Sequence, residues 1–107
     1  YEVIDCIIFD SETGTITRYI INNNCPRNIV IPNEIDGVKV KTIGHDAFMN
    51  RFLESVEIED GITSIEWYSF AWNNIKSVKI PDSVTTIGDN AFFNNEFMFL
   101  ISCYQCI

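Results

Sequence analysis

Apolar residues alternate with polar ones in short stretches of this chain, and the same arrangement recurs with a period of 22. In SVEIE, Val56 and Ile58 alternate with polar neighbours, and in SVKIP Val78 and Ile80 do the same. A period of two is typical of a strand with one buried face. Self-similarity at a fixed period predicts a series of similar structural units.

Each unit continues from its strand into a return segment and a tight turn. In the last complete unit, Val84 and Ile87 form the return segment and Gly88 ends it. The next residues, DNAFFNN, predict one helical turn that points Ala91 and Phe92 inward. A single coil cannot bury its own apolar face, so successive coils must stack. The pattern therefore predicts a β-dominated repeat solenoid with short helical turns.

The residues ahead of the regular units follow a different pattern. VIDCIIF and ITRYII are β-rich and are separated by DSETGT, which predicts an N-terminal β-hairpin. NIVIP predicts another strand, and the Asp-Gly pair in EIDGVKV predicts an inserted hairpin. The interval from Ile31 to Ile43 is longer by five positions than the equivalent interval from Ile58 to Ile65. An irregular first unit behind a hairpin is typical of an end cap.

These patterns divide the chain into five predicted segments. They are an N-terminal β-hairpin cap, an irregular first repeat with the inserted hairpin, a second and a third repeat, and an incomplete fourth repeat or C-terminal cap, at residues 1–28, 29–52, 53–74, 75–96 and 97–107. The repeat ends because Ser102 and Cys103 stand where Ile80 and Pro81 stand one unit earlier. We expect the apolar residues 97–101 either to fold over as a cap or to mediate self-association through a strand edge.

The composition and the net charge exclude or disfavour several classes of protein. A 47% apolar fraction with 13% aromatic residues excludes a disordered chain. The formal charge of −8 argues against a nucleic-acid partner and against an anionic membrane surface. No segment approaches the ~20 apolar residues of a membrane span, so we expect no membrane insertion.

The four cysteines lie near the two ends of the chain. Cys6 and Cys25 flank the first hairpin and could form a disulfide if the chain folds back after Asn24, but we favour free cysteines. Cys103 and Cys106 form a C-x-x-C, a weak signal for zinc or redox chemistry that lacks further ligands nearby and a βαβ context. We therefore expect no metal and no cofactor.

The sequence contains no recognisable catalytic set. His45 is the only histidine, and Trp67 and Asp89 take its position in the next two units. A position that varies so freely among copies is more typical of a surface than of a catalytic base. The residues suggest neither a Ser-His-Asp set, nor a phosphate-binding glycine-rich loop, nor H-E-x-x-H. We predict that the protein is not an enzyme.

Two surfaces are candidates for binding. Outward positions of the two regular strands form the first, and its candidate residues are Ser55, Glu57, Glu59, Ser77 and Lys79. The alternative is a solvated face on which Glu57 and Lys79 pair with each other. The second surface is formed by Trp67, Tyr68 and Trp72, which replace polar residues of the neighbouring units.

The three aromatic residues have two interpretations. The spacing of Tyr68 and Trp72 predicts that their side chains stack on one face of a turn. Exposed Trp and Tyr are enriched at binding hot spots. The alternative is that Trp67 or Trp72 folds down over the inserted hairpin at 36–37 or over the stem of Arg51.

The repeated segments resemble the BspA-like leucine-rich repeat. The resemblance rests on IPDSVTTIGDNAFFNN, IEDGITSIEWYSFAWNN and KVKTIGHDAFMN, and it covers roughly residues 15–98. Glu66 departs from the usual glycine, and Glu59-Asp60 departs from the usual Ile-Pro-Asp. The resemblance implies a right-handed leucine-rich-repeat stack in proteins at or outside the cell surface, often of host-associated bacteria and parasitic protists, which take part in adhesion and protein binding.

We therefore expect a non-catalytic binding module that is extracellular or at the cell surface. Its partner would be a protein, for example of a host or of the extracellular matrix, or a glycan. The alternatives are a structural spacer or terminal fragment of a longer repeat protein without a ligand of its own, and a thiol or metal function of the C-x-x-C.

Overall fold

The computed structural model describes residues 2–96 and the backbone of a short strand at 99–101. One 3-10 turn, Val3–Cys6, precedes the strands. The strands are β1 Ile7–Asp10, β2 Thr15–Tyr19, β3 Asn28–Ile31, β4 Glu34–Ile35, β5 Val38–Lys39, β6 Thr42–Ile43, β7 Ser55–Ile58, β8 Ser64–Ile65, β9 Ser77–Lys79, β10 Thr86–Ile87 and β11 Phe99–Ile101. The fold is therefore dominated by strands.

Two sheets contain the repeated strands, which pair in parallel. The first has the order β3-β7-β9-β11, and the second has the order β1-β2-β6-β8-β10. Val56 pairs with Val78 on β7 and β9, and Ile65 pairs with Ile87 on β8 and β10, so equivalent positions of successive units lie side by side. On its other side Val56 pairs with Ile29 of β3. This offset is longer than the regular one by five positions, in agreement with the extra length predicted for the first unit.

The core lies between these two sheets and is formed by the apolar positions of the alternating pattern. Val56, Ile58, Val78 and Ile80 are all buried, as the period of two predicts. Four aromatic rings stack along the core beside them, which we call the inner column: Tyr19, Phe48, Phe70 and Phe92. Their centroids are 5.0–5.1 Å apart, so each unit adds one ring.

Both predicted hairpins are present. β1 and β2 pair antiparallel, and β2 also pairs in parallel with β6, so the first hairpin forms the edge of the five-stranded sheet. β4 and β5 form the inserted hairpin. Its Asp36 and Gly37 have φ values of 51° and 79°. Two successive left-handed residues are typical of the tight turn that an Asp-Gly pair prefers.

The prediction of free cysteines is wrong for the first pair. Cys6 and Cys25 form a disulfide, with their Cα atoms 6.0 Å apart. The 3-10 turn places Cys6 directly before β1, and the segment between β2 and β3 returns Cys25 to the same place. Both cysteines are buried, so the disulfide attaches the hairpin to the core. Cys103 and Cys106, and with them the C-x-x-C, lie outside the described residues.

The predicted short helical turns are also wrong. At 46–50, 68–72 and 90–94 the chain forms hydrogen-bonded turns, and no α-helix occurs within residues 2–96. The first and last residue of each turn has a positive φ of 55–59°. A left-handed residue ends a right-handed helix, so one at each end of so short a turn leaves no room for a helix. The inward residues nevertheless agree with the prediction, because Ala91 is buried and Phe92 is half-buried.

One asparagine joins the second unit to the first, and another joins the third unit to the second. Nδ2 of Asn73 donates to the carbonyls of Phe48 and Phe70 at 2.8 and 3.0 Å, and its Oδ1 accepts from the N–H groups of Arg51 and Leu53. These bonds provide partners for backbone groups inside the fold. Asn95 repeats the arrangement one unit later.

Arg51 takes the place of this asparagine in the first unit. Its guanidinium donates to the carbonyls of Tyr19 and Met49. These two carbonyls correspond to those of Phe48 and Ala71, which accept from Asn73 in the next unit. Burial, together with nearby Arg18, lowers the pKa of Arg51 below its ordinary value. The Arg51 side chain therefore provides hydrogen-bond donors to the backbone where the neighbouring units use an asparagine.

Candidate binding surfaces

The turns at 46–50, 68–72 and 90–94 follow the strands β6, β8 and β10. These three turns lie side by side along one edge of the molecule. Main-chain hydrogen bonds join them: the Phe48 N–H donates to the Ser69 carbonyl, and the Phe70 N–H donates to the Ala91 carbonyl, both at 2.7 Å. These bonds bring equivalent positions of successive units together. One row consists of residues 46, 68 and 90, and a second row consists of residues 50, 72 and 94.

All six positions in these rows have left-handed backbone conformations. In the flanking turns they are Asp46, Asn50, Asn90 and Asn94, residue types that visit this region readily. In the middle turn they are Tyr68 and Trp72, with φ values of 56° and 55°. A side chain other than Gly, Asn or Asp costs roughly 1–2 kcal/mol in this conformation. The backbone therefore favours the polar residues of the flanking turns over the two aromatic residues.

Five rings form a continuous chain across these turns, which we call the aromatic array: His45, Trp67, Tyr68, Trp72 and Phe93. His45 and Trp67 stack in parallel with centroids 4.4 Å apart, and Tyr68 and Trp72 stack in parallel at 5.6 Å. Edge-on contacts connect Trp67 with Tyr68 and Trp72 with Phe93. The predicted stacking of Tyr68 on Trp72 is thus confirmed, although the turn is not helical.

The array is open to solvent. Trp67, Trp72 and Phe93 keep 47%, 43% and 51% of their surface exposed, and Tyr68 is half-buried. The Tyr68 hydroxyl accepts a hydrogen bond from Nδ2 of Asn90 at 3.2 Å. Rings that stack on each other and stay this exposed do not match the alternative of tryptophans folded down over the inserted hairpin or Arg51.

Sequence reasoning missed two members of the array. His45 occupies the position of Trp67 one unit earlier, and Phe93 occupies the position of Ala71 one unit later. Since equivalent positions of neighbouring units touch, the aromatic residue at position 45 was a signal for His45. Phe93 contacts Trp72, which is not at its equivalent position, so the same signal does not identify Phe93. Glu66 supports this end of the array, because its carboxylate accepts from the His45 N–H at 3.2 Å.

Close approach of the backbones explains one glycine here. A Cβ at Gly88 would lie 2.5 Å from the Trp67 nitrogen, so only glycine fits between the second and third units. The Trp67 backbone is therefore held tightly at the base of the array.

A cavity of about 310 Å³ opens beside Trp72. Its lining residues are Asn50, Phe52, Trp72, Asn73, Asn74 and Asn94. Phe52 is 56% exposed and has a φ of 62°, another left-handed aromatic residue. The Arg27 guanidinium lies over the Phe52 ring, 5.5 Å from its centroid. We call this cavity the amide pocket.

The outward face of the first sheet brings most of the other predicted residues together. Ser55 and Glu57 on β7 lie beside Ser77 and Lys79 on β9, in a shallow groove of about 310 Å³. Lys79 Nζ lies 3.9 Å from Glu57 Oε2, the pairing that the alternative interpretation expected. Both side chains are about half exposed, so the pair contributes a few tenths of a kcal/mol at most.

Two other side chains of this face are already engaged with the protein. The Ser55 hydroxyl donates to Asn28 Oδ1 at 2.8 Å. Glu59 lies beyond the end of β7, and its carboxylate accepts from the Asn33 N–H at 2.9 Å. Ser55, Glu57 and Glu59 therefore each have a partner within the protein.

The described part of the chain contains no helix with the length and hydrophobicity that a membrane crossing requires. Across the same residues, His, Cys, Asp and Glu side chains do not come together in groups of three or more that could hold a metal ion.

The parallel strands, offset by one repeat, and the asparagines between units are features of a strand-dominated repeat protein. A family model described as "BspA type Leucine rich repeat region (6 copies)" matches residues 41–102, more than half of the chain. The chain therefore belongs to the BspA-type leucine-rich-repeat family. Comparison with curated proteins and with solved structures gave no match.

Proposed function

We propose that this chain is a non-catalytic module of a leucine-rich-repeat protein and binds a partner protein through the aromatic array, as adhesion proteins do. In this proposal the stacked units form a right-handed solenoid that the N-terminal hairpin caps. The observation that carries the proposal is the placement of Tyr68 and Trp72, which are exposed to solvent in part and held in a disfavoured backbone conformation.

Local strain supports a binding role. Residues in sparsely populated conformations cluster at ligand-binding sites because selection for function retains them against their effect on stability. The flanking turns of this chain provide the comparison, since they use Asn and Asp at the same positions. Trp and Tyr also dominate the hot spots of protein interfaces, because they bury a large area with few rotatable bonds.

The outward face of the first sheet takes a secondary role in the proposal. This face would contribute polar contacts at the rim of a complex, through Ser55, Glu57, Ser77 and Lys79. Charged pairs at a rim change the association rate more than the affinity. Glu59 already accepts a backbone hydrogen bond, so we assign it to the fold.

An extracellular or cell-surface location is part of the proposal. The Cys6–Cys25 disulfide supports it, because disulfides persist in oxidising compartments and are rare in the cytosol. Membership of the BspA-type family supports the same location.

The test compares two variants in binding to immobilised extracellular-matrix proteins and to intact host cells. Trp67→Asp/Tyr68→Asn installs the residues of the third unit in the array. Lys76→Ala/Asp82→Ala changes two exposed side chains outside both candidate surfaces and is the matched control. We expect saturable binding by the native chain, loss of at least about tenfold in the array variant, and near-native binding by the control. Equal binding by the native chain and the array variant would contradict the proposal.

A second candidate function is a structural spacer. The backbone of β11 favours it, because Phe99–Ile101 pairs with Ser77–Lys79 at the same offset that joins the regular strands. The repeat register therefore continues beyond the third unit. The outer edge of β11 would then pair with another unit or with a second copy. Light scattering over a concentration series tests the second copy: the spacer predicts a rising mass, and a constant monomer mass argues against self-association.

A further inference from the structure

The amide pocket combines two aromatic side chains with four asparagines and no charged residue. It is uncharged in a protein whose formal charge is −8. We propose that this pocket binds a neutral sugar ring, one hexose or N-acetylhexosamine unit of a glycan. This inference goes beyond the proposed binding of a protein and assigns the pocket a ligand of its own.

The two aromatic residues of the pocket replace asparagines of the repeat. Trp72 stands between Asn50 and Asn94 in its row, and Phe52 holds the position that Asn74 holds one unit later. Both aromatic residues are left-handed, with φ values of 55° and 62°. Asn50 and Asn94 share the left-handed conformation of Trp72, whereas Asn74 does not share that of Phe52. Two aromatic residues in a disfavoured conformation therefore converge on one cavity.

The rings are held in place by neighbours outside the pocket. Tyr68 stacks in parallel on Trp72, with the ring planes only 5° apart. Arg27 lies over the ring of Phe52. A pyranose ring presents a flat patch of C–H groups, which packs against the electron-rich face of an aromatic ring. Rings that are held before the ligand arrives lose little entropy on binding.

The amides match the remainder of a sugar. A sugar hydroxyl both donates and accepts hydrogen bonds, and so does each exposed amide of Asn50, Asn74 and Asn94. Asn73 differs, because its amide is already bonded to the backbone, so it forms a fixed wall. A cationic ligand would lose its hydration here without gaining a counter-charge, which disfavours basic peptides.

The size of the pocket limits the ligand. About 310 Å³ lies at the lower end of the range for small-molecule sites. The pocket therefore accommodates a single ring, and a longer glycan would extend from it across the open surface. A site for one ring makes few contacts, so we expect weak binding that several linked copies would strengthen.

The test uses the full chain with N-acetylglucosamine, galactose, glucose and mannose as probes. Trp67→Asp leaves Trp72 as the only tryptophan of the chain, so fluorescence then reports on the pocket alone. We expect at least one neutral sugar to change this fluorescence saturably and to give a saturation-transfer NMR signal. Phe52→Asn and Trp72→Asn, which install residues that the repeat uses itself, should each weaken the NMR-detected binding about tenfold.

Three results would overturn the assignment: no neutral sugar saturates the signal, both pocket variants bind as the native chain does, or glucuronic acid or an arginine peptide binds more tightly. Circular dichroism of the two variants confirms that they fold. Failure here is distinct from failure of the proposed function, because Phe52→Asn alters the pocket and leaves all five rings of the array in place. A chain that binds protein and no sugar keeps the first proposal and loses this one.

Discussion

The inner column and the aromatic array are two sets of stacked rings in one molecule, and they differ in almost every other respect. The column places one ring in each unit, buries Tyr19, Phe48 and Phe70 completely or nearly so, and repeats one spacing. The array is centred on one unit, stays exposed and alternates parallel with edge-on contacts. Stacking of units therefore demands an aromatic residue inside the fold, whereas the outer positions can differ from unit to unit and carry a role specific to one of them.

Shortening the central ring of the column should have the largest effect on stability. Phe70 lies fully buried between Phe48 and Phe92, so Phe70→Ala should lower the free energy of unfolding by about 3–5 kcal/mol. The measurement is urea denaturation, with Phe70→Leu as a milder variant if the alanine variant does not fold. Phe93→Ala is the matched control, because Ala71 occupies its position in the middle unit; we expect a change within about 0.5 kcal/mol. Equal losses in the two alanine variants would remove the distinction between the column and the array.

Tyr19, at the end of the column, should make stability sensitive to alkaline pH. Burial raises the pKa of its hydroxyl to about 12 from 10.0, and the hydroxyl donates to the Pro26 carbonyl at 2.8 Å. The unfolded chain loses this proton at the lower pH. The stabilisation is therefore complete below pH 10 and lost as the pH rises towards 12, a decrease of about 3 kcal/mol.

Unfolding free energies measured between pH 8 and about 11.5 check this prediction against Tyr19→Phe. The variant lacks the ionisable hydroxyl, so its stability should decline less over this range. Parallel curves for the two proteins would show that Tyr19 ionises as readily in the folded chain as in the unfolded one.

Ser69, which lies between Tyr68 of the array and Phe70 of the column in the sequence, should lower the stability of the fold. Its buried hydroxyl has no hydrogen-bond partner among the described residues, and the flanking units have Ala47 and Ala91 at this position. Ser69→Ala should therefore raise the free energy of unfolding by about 1 kcal/mol. Thermal and urea unfolding measure the change, and a destabilised variant would show that the hydroxyl is satisfied.

Much of the fold could be predicted from the sequence because the pattern of apolar residues determines it. The period of two placed the strands, the repeat predicted their register, and Asp-Gly located the inserted hairpin. The turn conformation was not predictable in the same way. Asparagines at the end of an Ala-Phe segment are compatible both with the end of a helical turn and with a pair of left-handed residues.

Features that depend on neighbours in space were harder to predict. Asn73 looks like a surface residue in the sequence, and only stacking shows that its amide bonds to the preceding unit. Cys6 and Cys25 required the path of the chain after β2. Phe52 and Trp72 belong to different units and are far apart in the sequence, so their shared pocket appears only when the units are placed side by side.

The most direct test of the account is the unfolding free energy of Tyr68→Asn/Trp72→Asn relative to the native chain. Asparagine relieves the left-handed strain at both positions, and this gain offsets the lost stacking of two partly exposed rings. We predict a free energy of unfolding within about 1 kcal/mol of the native value, or above it. A loss of about 3 kcal/mol or more, comparable with that of Phe70→Ala, would contradict the account, because the two rings would then belong to the packed core.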